Sequence, residues 1–164
     1  AFEPSITSYK FLKKKYQNYK NIEILNGAVT NKLKKATFYE REISSQSSLM
    51  KKRNDFIKNL KNKSIYKINC CTLDFFHKRN NKKEIYDLVK IDCEGEDFNV
   101  LKGSQKLLKN NQIKLLKIEI TFKKNNFFNI IHFLNKYKYQ IISITKIKYE
   151  DQKLSFIDAY FSKI

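Results

Sequence analysis

Apolar residues recur along this chain at two spacings that alternate. Over 9–19 (YKFLKKKYQNY) they fall at Tyr9, Leu12, Tyr16 and Tyr19, the spacing of one helix face. Residues 21–30 (NIEILNGAVT) form a short apolar run with a turn signal at Asn26-Gly27, and 36–41 (ATFYER) reads as a strand. The polar stretch 44–54 predicts a loop, followed by a helical stretch near 54–61. Residues 64–76 (SIYKINCCTLDFF) begin as a strand and turn toward a helix at Leu73-Asp74. Residues 85–92 (IYDLVKID) have the composition of a buried parallel strand. A helix interrupted at Gly103 is predicted over 94–109, and a further strand over 113–120 (IKLLKIEI). Residues 125–137 predict an apolar helix with Phe127, Ile130, Ile131 and Leu134 on one face. The segments 139–147 and 155–164 predict strands joined by a turn at Glu150-Asp151-Gln152.

Strands alternating with helices predict an α/β sheet with helices on both faces. The short turn between the last two strands makes them an antiparallel hairpin at the edge of a mostly parallel sheet. At 164 residues the chain reads as one domain, 1–164, long enough for a core. No run of about 18 apolar residues is present, which excludes a transmembrane helix of ordinary kind. The first residues, AFEPSITSYK, lack the basic and apolar regions of a signal peptide. The chain starts at Ala1 and its only methionine is Met50, so it reads as a fragment, a processed chain or a trimmed one.

Charge complicates this picture. The chain carries 34 Lys and Arg against 16 Asp and Glu, a formal net charge of +18. Such a balance points to nucleic acid or another anionic partner. Only Arg41, Arg53 and Arg79 are arginines, however, and the lysines are spread along the chain. Nucleic acid is therefore not favoured, and a solvated lysine surface accounts for the balance. Cys70, Cys71 and Cys93 form no CxxC pair and read as buried thiols of a cytoplasmic protein.

Against this basic background, DLVKIDCEGED (87–97) places four acids in six residues: Asp92, Glu94, Glu96 and Asp97. In open α/β sheets, ligands bind outside the carboxyl ends of the strands. Glu3 in AFEP, Asp92 in KID and Glu119 in KIEI all stand at predicted strand ends. If those strands are parallel neighbours, the three acids line one crevice.

Several of these stretches, in this order, resemble the FkbM-like family of S-adenosylmethionine-dependent methyltransferases over nearly the whole chain. They are AFEPSITSYKFLKKKYQNYKNIEILNGAVT, CTLDFF, DLVKIDCEGEDFNVLKGSQKLL and IKLLKIEI. The resemblance implies a Rossmann-like class I methyltransferase sheet, S-adenosylmethionine as cofactor, and methylation of a hydroxyl on a sugar or other small-molecule acceptor. It implies that Glu3 grips the ribose hydroxyls of the cofactor; a helix cap or a surface acid before Pro4 is the alternative. It places Asp92 and Glu94 near the transferred methyl group, where a carboxylate orients the acceptor, removes its proton or holds a divalent metal. The alternative is a structural pair at the positive end of the next helix. No metal is indicated by the sequence itself. Gly95 allows a tight strand-to-helix turn, and Asp97, where the family often has Glu, reads as helix surface or as a charge at the helix N-terminus. Glu119 faces substrate or is a strand-end acid. His132 reads as structural and His77 as part of a surface turn.

The family also has a glycine-rich loop after its first strand, upstream of the AFEP segment. Gly27, Gly95 and Gly103 do not form one. The sequence therefore reads as a domain truncated at its N-terminus, lacking the strand that the class places between its second and fourth, with apolar edges prone to aggregation. Two other functions compete. An RNA-modifying methyltransferase of related fold is favoured only by the charge, and the Pro-Pro motif of base methylation is absent, since Pro4 is the only proline. The other is a non-catalytic Lys-rich binding module on the same fold. The sequence sets no oligomeric state. Residues 1–164 alone should bind S-adenosylmethionine weakly or not at all; micromolar binding in calorimetry would overturn that expectation.

Overall fold

The computed structural model describes residues 1–42, 47–49, 62–80, 85–122 and 126–164. The helix expected near 54–61 and most of the loop over 44–54 lie outside the described residues. Short strands β1 (Phe2–Glu3) and β2 (Leu25–Asn26) pair in parallel around helix α1 (Ile6–Lys15). Ser5 caps α1 by accepting the Ser8 N–H at 3.1 Å, and Lys13, Lys14 and Lys15 sit at its negative C-terminal end. A second sheet joins β3 (Ala28–Val29), β4 (Lys34–Arg41) and β5 (Asn62–Cys71) in the order β3-β5-β4. Its small core is Ala28, Phe38, Ile68 and Cys70.

The third sheet holds the main core. Strands β6 (Tyr86–Ile91), β7 (Ile113–Thr121), β8 (Tyr139–Glu150) and β9 (Lys153–Lys163) are ordered β6-β7-β9-β8. β6 and β7 are parallel, while β9 runs antiparallel to both β7 and β8. The expected C-terminal hairpin is present. Asp151 (φ 49°) and Gln152 (φ 61°) make a tight turn with both central residues left-handed, the geometry that matches strand twist.

The expected single, mostly parallel sheet is not what forms; the sheets are mixed and partly short. β4 and β5 pair antiparallel, β3 joins β5 in parallel, and the two-residue β1–β2 pair stands as a sheet of its own. Nor is β6 the buried strand that its composition suggests. Among the described residues it has one strand neighbour, β7, and Leu88 is 51% exposed.

Helices α2 (Leu73–Arg79), α3 (Asp97–Lys102), α4 (Gln105–Lys109) and α5 (Asn126–Asn135) share one core with the third sheet. Leu116, Ile118 and Ile120 of β7 and Ile157, Ala159 and Phe161 of β9 point into it, as period-2 alternation dictates. The other face of these strands carries Lys117, Glu119, Asp158 and Tyr160, each partly exposed. Helices on both faces were expected, but these four lie on the core side. Ile130 and Leu134 bury the predicted face of α5, while His132 is exposed. His77 is buried rather than in a surface turn; its ring nitrogens meet the Tyr86 hydroxyl at 3.3 Å and the Gln112 amide at 2.9 Å.

Two caps lock the helical layer. Thr72 caps α2 through the Phe75 N–H at 3.0 Å. The Asp74 carboxylate reaches over to α4, accepting the Lys106 and Leu107 N–H groups at 3.0 and 3.1 Å. Between α3 and α4, Gly103 lies against the end of β3: a Cβ there would stand 2.1 Å from the Thr30 carbonyl oxygen. Its φ of −85° suits any residue, so the need for glycine is steric. Gly103→Ala should cost about 1–3 kcal/mol in urea denaturation; an unchanged midpoint would mean that this contact is not close.

Candidate functional site

The acid-rich segment leaves the C-terminal end of β6 and turns into α3. Two consecutive left-handed residues, Glu94 (φ 52°) and Gly95 (φ 103°), make the turn. Glycine takes this conformation freely, whereas glutamate is strained in it. The Ser48 hydroxyl donates to the Glu94 carbonyl at 3.1 Å, and the Glu94 carboxylate has one oxygen, Oε2, buried.

Asp97 holds this turn together from inside. It opens α3, the helix N-terminus expected as one of its two places, but it is 3% exposed, so the helix-surface alternative does not hold. Its Oδ1 accepts the Cys93 N–H at 2.8 Å and its Oδ2 the Gly95 N–H at 3.2 Å. The turn's own amides draw the carboxylate inward, because a buried N–H without an acceptor is costly. Burial raises the Asp97 pKa above the ordinary aspartate range, and the backbone donors offset only part of that. Burial, with Asp97 beside it, also pushes the Cys93 thiol up to about 12, so it is no nucleophile at neutral pH. Glu96 Oε2 accepts from the Thr30 hydroxyl at 3.2 Å and from Asn99 Nδ2 at 3.0 Å.

Asp92 stays exposed and forms an ion pair with Lys90 at 3.0 Å. The register Lys90↔Lys117, Ile91↔Ile118 continues to set Asp92 alongside Glu119 of β7. Glu119 is half-buried, and its pKa is raised by burial first, then by the charges of Asp92, Asp158 and Asp97, with Lys146 opposing. Two of the sequence-predicted acids therefore share one end of a parallel strand pair.

Glu3 is not brought to them. It belongs to the separate β1–β2 pair, and its carboxylate accepts the Ser5 N–H at 2.8 Å. Burial raises its pKa, Ser5 lowers it, and Glu40 of β4 raises it. Glu40 is itself 6% exposed, taking the hydroxyls of Ser5 at 2.5 Å and Ser64 at 2.7 Å. Burial pushes its carboxyl up, but donation from Ser5, Ser64 and Thr7 and the charge of Lys63 outweigh this and leave it low. Glu40 and Asp158 are not legible in the sequence because each meets its partners only through long-range pairing. The outward phase of Asp158, between buried Ile157 and Ala159, was the one local signal.

Among the described residues, no group of three or more His, Cys, Asp or Glu side chains is arranged to hold a metal ion, and the three cysteines are free. No helix among them is long and apolar enough to cross a membrane. In comparisons with known proteins, the family model described as Methyltransferase FkbM domain matches residues 1–141. No curated protein and no solved structure matches the chain.

The Asp97 pKa lies above its unfolded value of about 3.9. Its contribution to stability is therefore complete below about pH 3.9 and is lost as pH rises through the folded value. Asp97→Ala removes the acceptor of two N–H groups and should cost on the order of 2 kcal/mol or more in urea denaturation. Its stability should also fall less steeply than the wild type's from about pH 4 toward neutral. Parallel pH profiles for the two proteins would show that Asp97 is not the titrating group.

Proposed function

We propose a methyl-transfer function for this chain, which belongs to the FkbM methyltransferase domain family. The family supports methyltransferase activity. The finer reading is transfer from S-adenosylmethionine to a hydroxyl of a sugar or other small molecule. The observation that carries it is the convergence of Asp92 and Glu119 at the C-terminal end of the parallel β6–β7 pair. Ligands of open α/β sheets gather at that end. The strained backbone of Glu94 beside it is a second mark of a functional turn.

The residues of this chain fit one end of the cofactor. Glu3 ends β1 half-buried, with Oε1 on the Ser5 N–H. A carboxylate has about four acceptor positions, enough left for the two ribose hydroxyls. The methionine end is different: Gly27 lies against the Asn69 carbonyl, Gly95 makes the site turn and Gly103 meets Thr30, so none of the three cradles a ligand. When bound, the cofactor supplies an electrophilic methyl group on a sulfonium.

The chain's own acids handle the acceptor. A hydroxyl is a poor nucleophile until its proton is drawn away. The exposed Asp92 carboxylate, steadied by Lys90 at 3.0 Å, accepts that proton. Glu119, half-buried beside it, fixes a second hydroxyl or the same one from the other side. Holding donor and acceptor in line supplies much of the rate. In the full-length protein, Asp92→Asn should lower transfer from radiolabelled S-adenosylmethionine to a panel of sugars about 10²–10⁴-fold. Calorimetry should show cofactor binding unchanged. Full activity, or lost cofactor binding, would overturn this assignment.

A further inference from the structure

The open face of the third sheet carries a row of charges that crosses all four strands. Asp92 follows β6, Glu119 is on β7, Asp158 stands directly opposite Glu119 on β9, and Lys146 stands directly opposite Asp158 on β8. Side chains directly opposite in antiparallel strands have Cβ atoms about 4.5–5.5 Å apart, and like charges so placed repel. Two carboxylates in this position are a fault in a sheet unless something distinguishes them.

Their neighbours do. Asp158 lies between two cations: Lys117 Nζ is 3.0 Å from its Oδ2, and Lys146 is its cross-strand partner. Lys117 is itself held over the Tyr160 ring at 5.6 Å from its centroid, and Lys146 over Phe156 at 4.7 Å. Asp158 is shielded as well, with a side chain 14% exposed. Glu119 lies between anions, with Asp158 on one side, Asp92 on the other and buried Asp97 behind on α3. Lys146 opposes them, from one strand further away.

We infer that Asp158 is a positioning residue for Glu119: tied to Lys117, it makes Glu119 the member of the pair that takes up the proton. The candidate site then presents a carboxylic acid beside a carboxylate. One donates to an acceptor oxygen while the other accepts from a hydroxyl, a pairing suited to neighbouring hydroxyls of a sugar. This deepens the methyl-transfer reading and rests on it only for the ligand, because the charge arrangement itself belongs to the folded chain.

Carboxyl-carbon NMR titration of Glu119, assigned with Glu119→Gln, reads the coupling directly. The wild-type midpoint should lie above that of an exposed glutamate. Asp158→Asn keeps shape and removes the charge, so the midpoint should fall by at least about half a unit. Lys117→Met unties Asp158, so the proton should be shared between the two carboxyls and the Glu119 titration should broaden into two steps. A merely structural role for Asp158 would move neither midpoint in this pattern, and amide shifts elsewhere report whether each variant is folded. A Glu119 midpoint unmoved by Asp158→Asn overturns the inference. The NMR result does not depend on an acceptor: a full transfer rate in Glu119→Gln would remove Glu119 from the acceptor site and leave the coupling standing.

Discussion

The Asp97 carboxylate, accepting the N–H groups of Cys93 and Gly95 from within the core, is the constraint on which the acid-rich segment depends. Without an acceptor there, two amides of a tight, partly left-handed turn would be buried without partners. With it, the chain leaves β6, reverses through Glu94-Gly95 and enters α3 in one fixed way. That path leaves Asp92 at the sheet end and sends Glu96 back to Thr30. The two functions of the acids separate here: Asp97 builds the turn, and Asp92 is what the turn presents.

Charge distribution follows from the same economy of space. A net charge of +18 sets a lysine-rich exterior, yet the carboxylates gather where the backbone supplies donors or the sheet supplies cations. Glu40 sits among serine hydroxyls and Asp158 beside Lys117. Glu3 and Glu119, two of the acids to which the family resemblance points, have pKa values raised by burial and by neighbouring carboxylates, as does Asp97. Raised carboxyl pKa values are where proton transfer and hydroxyl recognition are at home.

What was legible in the sequence is what local pattern controls. IKLLKIEI became β7, the break at Gly103 separates α3 from α4, and the Phe127–Leu134 face of α5 is the one that packs. What was not legible depends on neighbours that a segment does not name. Leu88 has the composition of a buried strand but lies at a sheet edge, because burial is set by how many strands flank it. The place of Asp97 at a helix N-terminus was legible, but its burial was not, because the pull of two turn amides appears only once the turn exists. The opposition of Glu119 and Asp158 comes from strand register across 39 residues of chain, which no periodicity contains.

The order β6-β7-β9-β8 has a consequence in time. β9 is made after β8, yet it lies between β7 and β8 and pairs with both. On the ribosome, which extends chains at about 5–20 residues per second, β8 therefore emerges with no strand to join. The sheet stays split, with one edge of β7 unpaired, until residues 153–163 are out. The segment synthesised last among these strands is the keystone rather than the trim. Rare codons or a pause just before it would hold the nascent chain in its most vulnerable form, and chaperone capture should concentrate there.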